Sequence, residues 1–367
     1  MTTQPLFGIQ VLDFTTLLPG PLCSLLLREA GADVLKIERP GAGDEMRSYQ
    51  PRFGPASSNF AMLNRGKRST ALDLKTPEGL ERVLGLVREA DVLIEQFRPG
   101  VMDRLGLGWD DLKAVNPRLI YCSITGYGQH GVLASEAGHD LNYVAASGML
   151  SLTAGRDGTP ALPAALVADI GGGTYPAVLN ILLALRARDV SGQGTRLDIA
   201  MCESLFTFMY WGLGEGWITG AWPRAGSGLL TGRTPRYQIY RTREGRFLAA
   251  APLEDRFWTN FLHVLGAEHL QDPSLSPPDV QEAISAIIAQ CTAEEWLARF
   301  EGVDACVNLV RTLDEAVKEQ HFADRGAFQR RIEDGRGGSM PALPVPIARQ
   351  FRDARLNEGV PVLGEAG

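Results

Sequence analysis

Three short segments near the start of the chain constrain its fold more than any others. Residues 9–14 are apolar and β-prone, 22–30 form a leucine-rich run of helical length, and 32–37 are apolar and β-prone again. Two strands joined through a helix lie parallel in one sheet, because a parallel pair needs a long crossover. The chain therefore opens as a βαβ unit of an α/β fold. The turn after the first strand, Thr15-Thr16-Leu17-Leu18-Pro19-Gly20-Pro21, lacks the GxGxxG glycines, and the second strand ends Lys36-Ile37-Glu38-Arg39-Pro40. A nicotinamide site needs those glycines for its pyrophosphate, so this is not one.

Positive charge recurs at two later points. It clusters at Asn64-Arg65-Gly66-Lys67-Arg68-Ser69, ahead of a strand over 70–74 and Lys75, and again at Phe97-Arg98-Pro99-Gly100, after an apolar strand over 92–95. Ligands of open α/β sheets bind at strand ends, so three basic strand ends point to a polyphosphate. The net charge of −7 gives no global attraction to nucleic acid or an anionic membrane, and neither is expected as a partner.

A chain of 367 residues exceeds the size at which one core stops growing, so two domains are expected. The five cysteines form no CxxC pair, which suits reduced thiols in the cytoplasm. The opening Met-Thr-Thr-Gln-Pro-Leu-Phe shows no basic and apolar leader pattern, and no apolar run reaches about 18 residues, so a soluble, unexported cytoplasmic protein is expected. His263, His269 and His321 have no ligand pattern around them, and no metal is expected.

Further along, His139 precedes a helix over 141–150, with Asp140 in its first turn, where a carboxylate also serves simply as a cap. Asp169 precedes Gly171-Gly172-Gly173 and an apolar helix over 174–188. Three glycines allow close approach of a ligand to the backbone, and free N–H groups at a helix start face developing negative charge. The glycine- and proline-rich stretch 223–234 reads as a connector, followed by a hairpin over 237–251 with Thr242-Arg243-Glu244-Gly245 at its turn. Glu254 then stands in the first turn of a helix that runs through 265, and helices over 278–291 and 292–300 follow.

Lys36-Ile37-Glu38-Arg39-Pro40-Gly41, Arg65-Gly66-Lys67-Arg68-Ser69, Phe97-Arg98-Pro99-Gly100, Gly138-His139-Asp140-Leu141-Asn142-Tyr143 and Ala168-Asp169-Ile170-Gly171-Gly172-Gly173 occur in this order. Nearly the whole chain thereby resembles the class III coenzyme A transferases and, within them, the α-methylacyl-CoA racemases. The resemblance implies a large Rossmann-like domain over 1–222, a smaller α+β domain over 223–325, and a return segment over 326–367. It also implies an interlocked homodimer, an acyl-CoA substrate and no further cofactor. By the same resemblance, Arg39, Arg65, Lys75 and Arg98 contact CoA, and Glu254 orients the catalytic histidine. The Asp140 amide, with Gly171 and Gly172, is expected to meet the enolate oxygen.

Inverting the carbon next to a thioester takes one base on each face and stabilisation of the enolate between them. His139 and Asp169 supply the two bases in this reading, with burial raising the pKa of Asp169. The alternative is a CoA transferase, in which Asp169 attacks the thioester and forms an anhydride and then an aspartyl-CoA thioester. Several transferases of this kind carry a glutamine where Leu18 stands and need no base at His139. Arg233 and Arg236 pull the other way, since an arginine on the acyl pocket would suit a dicarboxylic acyl-CoA.

Overall fold

The computed structural model describes residues 4–155 and 158–366, so the first three residues of the leader reading lie outside the described residues. Among the described residues β1 (Gln10–Asp13), β2 (Asp33–Glu38), β3 (Arg68–Ala71), β4 (Val92–Glu95), β5 (Ile120–Thr125) and β6 (Thr195–Ala200) form one sheet. All its pairs are parallel and the order is β3-β2-β1-β4-β5-β6. The mixed α/β architecture with a parallel sheet matches expectation. The direction in which successive strands are added to the sheet reverses between β1 and β4, which opens a crevice at their carboxyl ends.

Helix α1 (Pro19–Glu29) begins earlier than its leucines suggest, because Pro19 is preset for the first helical position. It is buried along its whole length. Leu25 and Leu26 pack with Phe60 and with Ile332 of a strand near the C-terminus. Each fully buried side chain of this kind contributes roughly 1.5–3 kcal/mol. On the strands, Leu12, Leu35 and Leu93 pack with Val83 and Val87 of the helix Pro77–Glu89.

The chain divides into two compact units, the first comprising Met1–Ser147, Leu162–Phe208 and Gln320–Gly367, the second Gly148–Ala161 and Met209–Glu319. The division thus falls at 209 and 320, ahead of the expected 223 and 326, and 148–161 joins the second unit. The helix Tyr210–Thr219 and the glycine-rich connector are one packed piece. A Cβ on Gly216 would lie 2.3 Å from the Trp222 ring, and one on Gly228 would lie 2.7 Å from the Trp211 ring. Glycine and proline mark a loop here, and the break in packing lies before the helix.

In the second unit, Phe247–Ala250 pairs antiparallel with Gln238–Arg241 and Val307–Leu309. The helices Asp255–Leu265, Pro277–Ile288 and Ala293–Phe300 build a core around Trp258, Phe261 and Trp296. The hairpin stands as expected. In the first unit, Ala168–Ser191 is long and apolar enough by composition to cross a bilayer, although the sequence reading found no such run. It packs against α1 and against β5 and β6 in this unit.

Candidate active site

The crevice at the reversal point holds an open cavity of about 440 Å³. Leu17 and Pro19 from the loop after β1, Gln96 and Arg98 after β4, and Gly126 and Tyr127 after β5 line it. His139 and Asp169 line it too. Residues 30 positions apart in sequence therefore meet on one cavity.

His139 stands exposed immediately ahead of α2 (Asp140–Ala146), and its backbone N–H donates to Asn142 Oδ1 at 3.0 Å. One residue earlier, the Gly138 carbonyl accepts the Tyr143 hydroxyl at 2.5 Å. A Cβ on Gly126 or Gly138 would lie 2.2 or 2.6 Å from the Tyr143 ring, so those glycines let the ring sit beneath the loop. Tyr143 therefore holds the backbone immediately before His139. Burial, and next the nearby Asp169, push its phenol up to about 12, so it remains a neutral donor. The sequence reading included Tyr143 in a motif but gave it no role.

Asp169 lies in a π-helical run, Ala168–Thr174, that continues into α3 (Tyr175–Ser191). Its backbone N–H donates to Oδ1 of the buried Asp140 at 2.9 Å. Burial, and then the Asp140 charge, raise the Asp169 carboxyl to about 6, with His139 pulling the other way. A carboxyl so placed exchanges a proton near neutral pH. The Asp140 N–H, at the first position of α2, has no acceptor among the described residues.

Gly171 and Gly172 do not fit the role expected of them. The helix starts before Asp169, so both lie inside the π-helical run, whose N–H groups serve its own ladder. A Cβ on Gly171 would lie 2.7 Å from the Phe208 ring, and one on Gly172 would lie 2.3 Å from the Met201 carbonyl oxygen. The glycines admit close packing rather than a thioester.

The expected CoA contacts separate. Arg98 is exposed and lines the cavity. Arg39 and Lys75 are exposed away from its lining, with Arg39 Nε donating to the Gly43 carbonyl at 2.9 Å. Arg65 is a correction. It is wholly buried, pairs with Glu29 at 2.8 Å and Glu358 at 3.0 Å, and donates to the Met62 and Leu343 carbonyls. Lys36 and Lys67 are likewise internal. Lys36 pairs with Asp44, and Lys67 with Asp13, each at 3.1 Å. Asp44 is a near neighbour of Lys36 in sequence, but Glu29, Glu358 and Asp13 come to Arg65 and Lys67 from distant segments, so charges expected to face a polyphosphate are mostly neutralised inside.

In the second unit, Glu254 is exposed at the cap position of Asp255–Leu265 and makes no capping bond with its side chain. Arg236 is already engaged by Asp255 at 2.6 Å and the Leu253 carbonyl at 2.9 Å, whereas Arg233 is exposed.

Comparison with known proteins gives a match to the profile described as CoA-transferase family III across residues 6–366. The chain belongs to CoA-transferase family III. Among its relatives in the family is the alpha-methylacyl-CoA racemase of Mus musculus, 38% identical over 98% of this chain and 90% of the relative. The succinyl-CoA:glutarate CoA-transferase of Mus musculus is 31% identical over 98% and 83%. A solved family structure, described as a CAIB/BAIF family protein from Brucella suis, superposes with a TM-score of 0.86 at 30% identity, covering 100% of this chain and 98% of that one. Family III thus includes both isomerases and transferases of acyl-CoA esters among these relatives, and this chain carries the family's α/β sheet.

Proposed function

We propose that the protein racemises or epimerises a 2-methyl-branched acyl-CoA by two-base α-proton transfer through an enolate. The observation that carries this reading is the meeting of His139 and an Asp169 raised to about 6 on one cavity. His139 removes or returns the proton on one face of the α-carbon and Asp169 acts on the other, protons being conserved between substrate and the two groups. The unpartnered Asp140 N–H supports the enolate oxygen, a donor of a kind worth on the order of 2.7–4 kcal/mol of barrier. Glu254 is assigned to holding the histidine's tautomer, and Arg98 to the phosphates of CoA. The similarity to the mouse racemase supports the same chemistry.

The transferase reading uses Asp169 as nucleophile and draws on the relatives that move CoA between acids. The engagement of Arg236 by Asp255 removes one of the two arginines that would hold a second carboxylate, leaving Arg233. The strand order β3-β2-β1-β4-β5-β6 supports a Rossmann-like description of the larger unit. An interlocked homodimer is proposed on the exposed Leu179, Leu183 and Val190 of α3 and the exposed Trp217 and Ile218 of Tyr210–Thr219.

The test is incubation with (2R)-2-methylacyl-CoA in deuterium oxide, read by NMR and mass spectrometry, beside His139→Ala. Deuterium at the α-carbon with accumulating (2S) ester, lost in the variant, is the expected result. Transfer of CoA to added succinate without α-exchange, abolished in Asp169→Ala, establishes the transferase instead.

A further inference from the structure

Leu17 lines the cavity in a left-handed backbone conformation, φ 61°, shared among the described non-glycine residues only with Cys306. A leucine is strained there, and such strain persists only where surrounding groups enforce it. Buried anchors hold the ends of its loop. Lys36 Nζ donates to the Thr15 carbonyl at 2.6 Å, and Thr174 Oγ1 donates to the Pro19 carbonyl at 2.7 Å. Between them, the Gln96 side chain donates from Nε2 to the Thr16 carbonyl at 2.6 Å and accepts at Oε1 the Gly20 N–H at 3.2 Å.

Thr16 and Gly20 stand four residues apart, the spacing of a carbonyl and N–H that bond each other in an α-helix. Gln96 takes both groups. Its amide therefore stands in for one helical hydrogen bond and, together with Pro19 at the first helical position, keeps α1 from winding back through Leu17. Gln96 and Arg98 leave the same strand end and line the same cavity, so the clamp ties the Leu17 loop to the segment assigned to CoA.

We propose that Gln96 is a positioning residue that holds the strained Leu17 loop open and so sets the wall of the cavity against which the acyl group of the CoA ester packs. This rests on the acyl-CoA reading above. Without Gln96, the Thr16 carbonyl and Gly20 N–H are free to bond each other, Leu17 relaxes to negative φ, and the wall moves. On this proposal the wall meets the acyl group, so binding of free CoA does not depend on it.

The experiment compares Gln96→Ala and the better space-filling Gln96→Met, each in the native and the Leu17→Gly background. Glycine adopts φ 61° without strain and has no need of the clamp. Calorimetric dissociation constants for 2-methylacyl-CoA and for free CoA are measured alongside α-proton exchange. In the native background, acyl-CoA binding is expected to weaken about tenfold, the scale of lost hydrogen bonds, with free CoA changed less than about twofold. In the Leu17→Gly background the same substitutions should change acyl-CoA binding by less than about threefold, a coupling expected of groups acting through one another. Equal losses in both backgrounds, equal losses for free CoA, or no loss from Gln96→Met would overturn the proposal. Binding separates the two readings: a protein that binds acyl-CoA with this coupling but exchanges no α-proton sinks the racemase and keeps the clamp.

Discussion

Asp140 Oδ1 accepts the backbone N–H of Asp169 at 2.9 Å, joining the residue after His139 to the opposing acid. One buried carboxylate thus fixes the spacing of two candidate bases and, by its charge, discourages ionisation of the second. Replacing Asp140 with Asn keeps an acceptor oxygen but removes the charge. The Asp169 carboxyl should then titrate below about 6, seen as a shift to lower pH of the acid limb of the α-exchange profile and in the carboxyl carbon-13 signal. An unmoved titration would leave burial as the sole cause.

Stability should respond to Asp169 in a defined pH window. Its pKa is raised from 3.8 to about 6, so the folded state disfavours its charged form. The associated stability is fully present below pH 3.8 and lost as pH rises through about 6. Asp169→Asn should therefore be more stable than the native protein at pH 7, by on the order of 2 kcal/mol after allowing for partial solvation. The gap should close towards pH 4 in urea titrations. A gap independent of pH would point to packing instead.

Two arginines that look alike in sequence should fail differently. Arg65→Met leaves the buried Glu29 and Glu358 short of a cation, which costs about 3–5 kcal/mol. Arg98→Ala, on an exposed side chain, should leave the urea midpoint nearly unchanged and weaken CoA binding in a salt-dependent way. Thermal melts beside calorimetry with free CoA distinguish the two. Normal stability in Arg65→Met would contradict the ion network.

Tyr143→Phe removes the hydroxyl that holds the Gly138 carbonyl and leaves the ring under the loop. The expected result is a fall in kcat of about tenfold with KM little changed, since a misplaced base costs rate before it costs binding. A matching rise in KM would instead give the hydroxyl a role in holding substrate.

Much of this is legible in the sequence itself. The alternation of strands and helices placed β1, α1 and β2 within a few residues, and the motifs around His139 and Asp169 named the pair that lines the cavity. The glycines after Asp169 misled, because a glycine run has the same letters whether it admits a ligand or the Met201 carbonyl. Gln96 carries no motif signal, since its partners are main-chain atoms of Thr16 and Gly20.

Periodicity and strand-end chemistry, which are local, are enough to read a parallel α/β sheet and a polar crevice at its carboxyl ends. Which charges face that crevice is not local. Arg65, Lys36 and Lys67 end up neutralised by carboxylates brought in from elsewhere in the chain, while Arg98 stays exposed at the cavity. The acidity of Asp169 likewise depends on burial and on Asp140, 29 residues away, so only the packed chain decides it.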